Sequence, residues 1–353
     1  MQIFIDNLIF SLQKAGGISV YWSELMQRMN STPQNITCIN TKDAGNFLAN
    51  PLHWQKNTLT DIGLPVTVKR FLPLLKTLPE KSIFHSSYLR WSNQKNVANI
   101  VTIHDLAPEH GMIGGKGKYI RQWQQRKAIE HADGILCVSN TVKNDLLSYY
   151  PFLDESKVKA VYHGVSEHFF TTEKKTTAKP FILFVGHRSG YKNFDLAVNI
   201  VAALQGMKLV IVGGKLLSER EQCLLNNKLP NRYEYKSLIS IETLNELYNT
   251  AFCLLYPSAF EGFGLPIVEA MKVGCPVVTS NKAAIPEIAG EGAILVDDVS
   301  VNGFVAAIEL LKQNSSREQL IEKGKQKALQ FNWNTCFEET MNFYTTVWNN
   351  KFG

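Results

Sequence analysis

The sequence lacks the patterns that mark several large classes of protein. Its six cysteines include no Cys-x-x-Cys pair, which argues against a zinc knuckle or redox centre and favours a reducing, cytoplasmic setting. No apolar run reaches the roughly 18 residues of a membrane-spanning helix. The N-terminus has no basic start followed by a long apolar stretch, so we predict no signal peptide. No G-x-G-x-x-G turn follows the first apolar run, which disfavours an NAD-dependent oxidoreductase.

Charge is modest in amount and unevenly spread. Charged residues make up 19% of the 353 residues, and the net charge is +6. Residues 1–170 hold 18 basic and 13 acidic residues, whereas residues 171–353 hold 19 and 18. A mild basic excess in one half fits an anionic small molecule or a membrane surface at least as well as a nucleic acid. Because the sequence also contains no nucleic-acid-binding motif, we expect no nucleic-acid partner.

Short apolar runs alternate with amphipathic helical patterns along the first half of the chain. Helices are predicted over residues 18–29 and 117–131 and, with Ser139 as N-cap, over residues 140–149. The runs between the helices are continuously apolar, which is typical of strands buried on both faces of a sheet. The predicted strands are residues 2–6, 35–39, 82–86, 99–103, 134–139 and 159–163.

A polar segment rich in Thr and Lys, residues 168–180, is predicted to be an interdomain linker. A second alternation follows, with strands predicted over residues 181–186, 208–214, 251–258, 275–280 and 293–297 and final helices over 300–313, 316–329 and 333–349. The two blocks indicate an α/β protein of two doubly wound, Rossmann-like domains. Ligands of such sheets bind at the carboxyl ends of the strands, so we expect the site in a cleft across which the domains face each other.

The most informative motif is EGFGLPIVE, residues 261–269, directly after a predicted strand. Pro266 suits a first helical position and Gly274 a helix stop, so the two glycines form a turn at a helix N-terminus. Free backbone N–H groups and the helix dipole make such a turn an anion site. Glu261 and Glu269 flank it, and each carboxylate can accept hydrogen bonds from a vicinal diol. The anion site and the two carboxylates together indicate a binding site for a nucleotide-diphosphate sugar. The alternative is a glycine-rich loop with two solvated glutamates.

A second motif is the glycine-containing loop after the predicted strand 181–186. It carries Arg188 and Lys192, whose guanidinium fork and ammonium group can clamp a diphosphate. The alternative is a surface turn with two solvated cations.

Two further positions are weaker candidates. Gly16 and Gly17 follow the first predicted strand and open a helical pattern. They allow the backbone to approach a ligand closely, although an ordinary pair of loop glycines would look the same. His104 follows the predicted strand 99–103 and could face the cleft, although a lone histidine without further context is more often structural.

The stretch from residue 260 to residue 297 resembles the donor-site signature of the family-four retaining glycosyltransferases, which have the GT-B fold. It contains the E-x7-E motif, the GFGLP turn and the GCPVV and PEIAG segments. Related segments extend the resemblance across nearly the whole chain: GGIS at 16–19, TIHD at 102–105, VSNTVKNDL at 138–146, YHGV at 162–165 and GYKNFD at 190–195. Each motif alone is weak, but together they are specific. Within the family, the sequence resembles the bacterial polysaccharide mannosyltransferases.

The resemblance implies a role for each matching residue. Glu261 would hold hydroxyls of the donor sugar, Glu269 would bind the ribose diol, and His104 would lie beside the transferred sugar. Arg188 and Lys192 would neutralise the departing diphosphate. Backbone N–H groups near the sugar and the diphosphate would come from Gly262, Phe263, Gly264 and Leu265.

The sequence departs from the family pattern at two histidines. His187 stands between the glycine and Arg188, whereas many members have the arginine directly after the glycine. The assignment of Lys192 is therefore firmer than that of Arg188. His163 stands where many members have asparagine, so no role is assigned to it.

The resemblance also implies an activity. It implies retaining transfer of a hexose, with mannose favoured, from a nucleotide-diphosphate sugar to a glycan or lipid-linked acceptor in cell-surface polysaccharide assembly, of O-antigen or capsule. Residues 1–170, with a returning helix at about 333–353, would bind the acceptor, and residues 178–332 would bind the donor. The sequence contains no Asp-x-Asp, with which metal-dependent transferases hold a divalent cation, so we expect no metal and no other cofactor. A soluble acceptor and a non-catalytic sugar-nucleotide-binding subunit are the alternatives.

Cations and apolar residues are interleaved in the predicted acceptor domain. Residues 110–129 hold five cations and no acidic residue: Lys116, Lys118, Arg121, Arg126 and Lys127. Residues 66–81 mix Lys69, Arg70, Lys76 and Lys81 with Phe71 and four leucines. Such a mixture suits the headgroup boundary of a bilayer and predicts peripheral contact with the inner face of the membrane. The alternative is a solvated helix face beside a core-packed loop.

Overall fold

The computed structural model describes residues 1–41, 46, 54–172, 180–188 and 190–353, without the side chain of Lys116. These residues form two compact units. The first unit consists of Met1–Gly164 together with Trp333–Gly353, and the second unit consists of Val165–Asn332. The last helix of the chain is thus part of the first unit.

The first unit is built on a parallel sheet covered by helices. Its strands are β1 (Gln2–Asp6), β2 (Asn35–Asn40), β3 (Thr58–Thr60), β4 (Ser82–His85), β5 (Val97–Ile103), β6 (Gly134–Cys137) and β7 (Val158–Ala160), and its first helices are α1 (Leu8–Leu12), α2 (Gly17–Ser31), α3 (Val66–Lys69), α4 (Lys116–Glu130) and α5 (Asn140–Tyr149). The strand order is β3-β2-β1-β4-β5-β6-β7, with every pair parallel. Every residue of β5 is buried, because helices cover both faces of the sheet.

The second unit repeats the same architecture. Its strands are β8 (Phe181–Val185), β9 (Lys208–Val212), β10 (Tyr233–Lys236), β11 (Cys253–Tyr256), β12 (Val277–Ser280) and β13 (Ile294–Val296). Its helices are α6 (Phe194–Ala203), α7 (Glu219–Lys228), α8 (Ile241–Thr250), α9 (Leu265–Val273), α10 (Ile285–Ala289), α11 (Val301–Leu310) and α12 (Asn314–Ala328). The strand order is β10-β9-β8-β11-β12-β13, again with every pair parallel. The predicted pair of doubly wound α/β domains is therefore confirmed.

In both sheets the strand order reverses beside the first strand of the unit. β1 pairs with β2 on one side and β4 on the other, and β8 pairs with β9 and β11. The loops that follow the two strands at such a reversal run to opposite faces of the sheet, and this opens a crevice at the carboxyl ends of those strands. Motifs that follow β1, β4, β8 and β11 are thereby placed at the ligand-binding edges.

Three strands were either not predicted or end more than two residues from the predicted position. β3 and β10 were not predicted, because both lie at sheet edges and are partly exposed, so they need no continuous apolar run. β7 ends at Ala160 rather than at residue 163 and is likewise an edge strand. The N-cap at Ser139 is confirmed, since its side chain accepts a hydrogen bond from the backbone N–H of Val142 at 3.1 Å.

The boundary between the units falls between Gly164 and Val165, six residues before the predicted end of the first domain at residue 170. The chain packs onto the second unit as soon as it leaves the first. The ring of Phe169 lies 5.8 Å from that of Tyr248, and the side chain of Asn245 accepts a hydrogen bond from the backbone N–H of Phe170. Residues 173–179 of the predicted linker lie outside the described residues.

Helix α13 (Trp333–Phe352) packs against the sheet of the first unit. A hydrogen bond of 2.6 Å joins the hydroxyl of Tyr344 to Nδ1 of His85, at the end of β4. At Gly134, where β6 begins, a Cβ atom would lie 2.5 Å from Val347 and 2.9 Å from Phe343. The helix therefore approaches the strand too closely for any side chain at that position.

A buried charge network that the sequence did not reveal lies beneath the carboxyl edge of the first sheet. Nη1 of Arg90 lies 2.9 Å from the carboxylate of Asp61 and 3.8 Å from that of Asp6. Asp6 also accepts hydrogen bonds from the hydroxyls of Ser86 and Ser87. The loop after β4 is thus held to the end of β1. Within the described ranges, no helix combines the length and the apolar character needed to cross a membrane.

Candidate active site

The loops after β8 and β11 lie side by side in the second unit because their strands are paired neighbours. The backbone N–H of Ala259 donates to the carbonyl of Tyr191 at 2.7 Å, and the side-chain amide of Asn193 donates to the carbonyl of Pro257 at 2.9 Å. These bonds join the two motifs that the sequence placed about 70 residues apart, at the reversal point of the sheet.

Lys192 and Glu261 form the centre of this site. The ammonium of Lys192 lies 2.5 Å from a carboxylate oxygen of Glu261 and donates to the hydroxyl of Tyr256 at 2.9 Å. Their side chains are only 14% and 10% exposed. A carboxylate this far from solvent needs a cation beside it, so the ion pair fixes both side chains in position.

The glycine turn follows directly and opens α9. Gly264 is the N-cap residue with φ of +96°, a conformation that favours glycine, and no side chain caps the helix. A nine-residue helix whose N-terminus lacks a side-chain cap leaves its first turn suited to an anion. The side chain of Phe263 is buried, and its ring lies 5.4 Å from that of Phe331. Only the backbone of residues 262–265 is therefore a candidate for binding a ligand.

Glu269 lies one turn further along α9. It accepts a hydrogen bond from the hydroxyl of Tyr248 at 2.9 Å. Burial raises the pKa of Glu269 to about 7, and the hydrogen bond from Tyr248 opposes that rise. The carboxyl group consequently changes its charge near neutral pH, which an exposed glutamate does not do.

Arg188 points away from Lys192 and Glu261. Its guanidinium donates to the carbonyl of Gly213 at 2.7 Å, to the carbonyls of Lys215 and Leu216, and to the carboxylate of Glu221 at 3.0 Å. The side chain is 4% exposed. Arg188 therefore joins the loop after β8 to the loop after β9, and the structure does not bring it into the site with Lys192.

His187 and Lys215 lie near each other beside these loops, and the sequence motifs assigned neither of them a role. Burial and the nearby charges of Lys192, Arg188 and Lys215 lower the pKa of His187. Lys215 follows β9, which pairs with β8. A lysine soon after the neighbouring strand is the sequence feature that could have identified it. Tyr248 and Tyr256, which contact the two glutamates, left no sequence signal because they resemble ordinary core tyrosines.

A separate cavity of about 440 Å³ lies beside the first turns of α6 and α7. Arg188, Asp195 and Arg220 are among the residues that line it, whereas Lys192 and Glu261 are not. In the part of the chain that the structure describes, no three His, Cys, Asp or Glu side chains converge in a way that could hold a metal ion.

The remaining predicted residues belong to the first unit. Gly16 is the N-cap of α2, Gly17 is its first residue, and no side chain caps this helix. His104 follows β5, with its ring 5.1 Å from that of Tyr21. Burial lowers the pKa of His104 to about 3, so its imidazole is neutral at physiological pH and can exchange hydrogen bonds but not supply positive charge.

Two family models match the chain. One, described as glycosyl transferases group 1, matches residues 165–327, and the other, described as glycosyltransferase family 4, matches residues 15–169. Together they span residues 15–327 and meet near the boundary between the two units. The chain belongs to glycosyltransferase family 4.

Curated relatives in this family include two O-antigen mannosyltransferases. O-antigen chain mannosyltransferase B of Escherichia coli is 40% identical over 111 residues, which cover 31% of this chain and 29% of that protein. O-antigen chain mannosyltransferase RfbU of Salmonella typhimurium strain LT2 is 26% identical over 216 residues, or 60% of each chain. The matched regions thus span less than two thirds of either relative.

The fold is GT-B. The structure of Anabaena HepE in complex with UDP and glucose superposes with a TM-score of 0.76 over 98% of this chain and 99% of that chain, at 14% identity. The family and fold inferred from the sequence motifs are therefore confirmed, and the chain is a glycosyltransferase. The roles of the individual site residues remain predictions.

The position of Arg188 generates a stability prediction for this glycosyltransferase. Arg188→Lys keeps the charge but loses the hydrogen bonds that the guanidinium donates to three carbonyls and to Glu221, so we expect the second unit to lose about 2 kcal/mol of unfolding free energy. Urea-dependent hydrogen exchange of β9 measures this loss. All six tryptophans belong to the first unit, so tryptophan fluorescence should show that unit unchanged.

Arg220→Lys is the matched control. Arg220 is 72% exposed and pairs with Asp195, so its replacement should leave the stability of the second unit nearly unchanged. Equal stability of the two variants would show that Arg188 does not hold the two loops together.

Proposed function

We propose that this glycosyltransferase binds a nucleotide-diphosphate sugar in its second unit and transfers a hexose, with mannose favoured, to an acceptor bound by its first unit. The observation that carries this proposal is the Lys192–Glu261 pair beside the uncapped N-terminus of α9. A cation and a helix dipole suit the diphosphate, and a fixed carboxylate suits sugar hydroxyls. The preference for mannose rests on the two O-antigen mannosyltransferases among its relatives.

The proposed chemistry is retaining transfer without a metal ion. Cleavage of the anomeric bond places charge on the leaving diphosphate, and the ammonium of Lys192 with the helix N-terminus would stabilise that charge. Attack from the face that the diphosphate leaves would preserve the α configuration, with a phosphate oxygen taking the acceptor's proton. His104, which is neutral, would orient the sugar rather than act as a base. NMR coupling across the new glycosidic bond distinguishes retention from inversion.

Replacement of Lys192 tests the proposed diphosphate site. Lys192→Met should lower the rate of transfer by about 100-fold or more, the scale of one lost transition-state donor, and excess EDTA should leave the wild-type rate unchanged. The measurement is release of nucleoside diphosphate from a panel of GDP-, UDP- and ADP-sugars, with and without acceptor. Lys208→Met removes a more exposed lysine of the same unit, which pairs with Glu234, and should keep the wild-type rate.

Strict dependence on added Mg²⁺ or Mn²⁺ would contradict the metal-free mechanism. Donor binding without hydrolysis or transfer would instead favour a non-catalytic subunit.

Glu269 generates a pH dependence of donor binding. Its carboxylate accepts hydrogen bonds from a diol only when ionised, so affinity for the nucleotide sugar should rise as pH increases from 6 to 8 through its pKa of about 7. Tyr248→Phe removes the hydrogen bond that lowers this pKa, so the midpoint should move to higher pH. The diphosphate of a nucleotide sugar does not titrate in this range, which makes calorimetric titration interpretable.

Glu269→Gln is the control for that titration. It should weaken binding and abolish the rise near pH 7. A rise of the same size in the Gln variant would assign the titration to another group.

The proposed acceptor is a glycan or lipid-linked sugar of cell-surface polysaccharide assembly, met at the cytoplasmic face of a membrane. A basic–apolar surface of the first unit supports this proposal, and we define it by Val68, Leu75, Lys118, Tyr119, Ile120, Arg121 and Trp123. Its five apolar side chains are between 47% and 71% exposed. The side-chain amide of Gln124 donates to the carbonyl of Arg70, so α4 and the segment after α3 adjoin each other. Exposed apolar groups beside cations suit the headgroup region of anionic lipid.

Sedimentation with anionic vesicles tests this surface. Trp123→Ser and Tyr119→Ser should each lower partitioning by about tenfold, because each removes a large apolar side chain from the bilayer boundary, and high salt should weaken binding of every variant. Phe152→Ser is the control, since Phe152 is 57% exposed but lies near Asp154 and Glu155. Failure of the wild-type protein to sediment at low salt would favour a soluble acceptor.

A further inference from the structure

The first eight residues of the second unit, 165–172, form neither helix nor strand, and we call them the strap. Their backbone is held by side chains of the unit instead. The side-chain amide of Asn249 donates to the carbonyl of Phe170 at 3.0 Å, and its oxygen accepts from the backbone N–H of Thr172 at 2.8 Å. The strap therefore has a defined position against α8, although it contains no regular secondary structure.

One face of α8 carries the side chains that meet the strap. Asn245, Tyr248 and Asn249 are three and four positions apart, so they lie on the same side of the helix. They are buried, with 3%, 0% and 9% of their surfaces exposed. A buried amide without hydrogen-bond partners is unfavourable, and both asparagines bond to the backbone of the strap. The strap and this face of α8 consequently fix each other's position.

Phe169 is the strap residue that reaches Tyr248. It is 3% exposed, and its ring packs edge to face on that of Tyr248, at 5.8 Å and 71°, an arrangement that aromatic pairs prefer. Phe170, the next residue, is 56% exposed. The hydroxyl of Tyr248 in turn donates to the carboxyl group of Glu269 at 2.9 Å. Two contacts thus connect the strap to a residue of the candidate active site.

We propose that the strap is a positioning element of the donor site, in which Phe169 holds the ring of Tyr248 so that its hydroxyl stays on Glu269. This inference rests on the proposed function, in which Glu269 binds the ribose diol. Phe169 acts through Tyr248, so it is a positioning residue and not a catalytic one. The segment that follows the boundary between the units thereby contributes to the affinity for the nucleotide sugar.

A looser Tyr248 has a predictable effect on Glu269. Burial raises the pKa of Glu269, and the hydrogen bond from Tyr248 opposes that rise. The ionisable side chains around this pair are Tyr256 and Cys275, both of which face Tyr248. If the ring of Tyr248 gains freedom, its hydroxyl stabilises the carboxylate less, and the pKa of Glu269 rises further. Less carboxylate is then present at pH 7, whereas at pH 9 the group is ionised in every variant.

NMR of the full chain with carbon-13-labelled glutamate, without any ligand, tests the proposal. The signal of Glu269 is identified by its absence from Glu269→Gln. Phe169→Leu keeps the position apolar but removes the ring, so the pKa of Glu269 should rise by about 0.5 pH unit. Phe170→Leu is the matched control, because it makes the same change at an exposed neighbour whose backbone bonds remain. It should leave the pKa of Glu269 unchanged.

Two further variants separate positioning from simple packing. In a Tyr248→Phe background, Phe169→Leu should cause no additional shift, because no hydroxyl remains to be positioned. Asn249→Ser shortens the side chain that holds the strap and should shift the pKa of Glu269 in the same direction as Phe169→Leu. It also tests the proposal independently if the Phe169→Leu variant does not fold.

Four results would overturn the proposal. The pKa of Glu269 could stay constant in Phe169→Leu and Asn249→Ser, or it could rise equally in Phe170→Leu. It could also fall in Phe169→Leu, which would show that water reaches the carboxyl group. An equal rise with and without the hydroxyl of Tyr248 would show that Phe169 acts only through burial of the carboxyl group.

Donor binding separates this proposal from the proposed function. Calorimetric titration uses GDP-mannose, UDP-glucose and ADP-glucose, and the variants are compared with the one that wild type binds most tightly. Phe169→Leu should bind it about twofold more weakly at pH 7 and equally well at pH 9, because the shift halves the ionised fraction only near the pKa. A pKa that shifts as expected, with equal affinity at both pH values, would contradict the ribose role of Glu269 but not the positioning role of the strap.

Discussion

The ion pair between Lys192 and Glu261 is the interaction on which the second unit's site depends. Parallel pairing of β8 and β11 brings the two loops to one edge of the sheet, and the pair fixes their side chains there. Without Lys192, a carboxylate that is only 10% exposed would be left without a counter-charge beside a helix N-terminus. The pair therefore fixes both side chains without any bound ligand, and such preorganisation avoids reorganisation during a reaction.

The cations near this ion pair have different roles. Lys192 pairs with Glu261, whereas the guanidinium of Arg188 makes hydrogen bonds that join the loop after β8 to the loop after β9. His187 lies near Lys192, Arg188 and Lys215, whose positive charges help to lower its pKa and so favour its neutral form. In the first unit, the imidazole of His104 is neutral at physiological pH and supplies no positive charge. The role of each cation therefore depends on its contacts in the fold, which the overall charge of the chain does not indicate.

The fold could be predicted from the sequence wherever burial leaves a pattern. Central strands such as β5 and β9 are apolar on both faces, and the two repeated blocks indicated two sheets. Edge strands β3 and β10 left no such signal, because solvent accepts their polar residues. The glycine turn before α9 was recognisable because a residue with positive φ favours glycine and the first turn of a helix accepts proline, in that order.

The site itself was only partly predictable. The E-x7-E spacing identified Glu261 and Glu269, yet their partners Tyr256 and Tyr248 come from other elements and resemble core residues. A sequence also does not reveal which groups a cation contacts, so it could not show that Arg188 bonds to the loop after β9. The partners of the two glutamates and the contacts of the two cations both depend on residues far apart in the sequence. Those contacts follow from tertiary packing, which no local sequence pattern encodes.

A crystal structure of the protein with a bound nucleoside diphosphate tests the central claim most directly. The account predicts diphosphate oxygens within hydrogen-bonding distance of the Lys192 ammonium and of backbone N–H groups at the start of α9, with the ribose hydroxyls on Glu269. A nucleotide in the cavity beside α6 and α7, with its phosphates on Arg220 and no contact to Lys192, would contradict it.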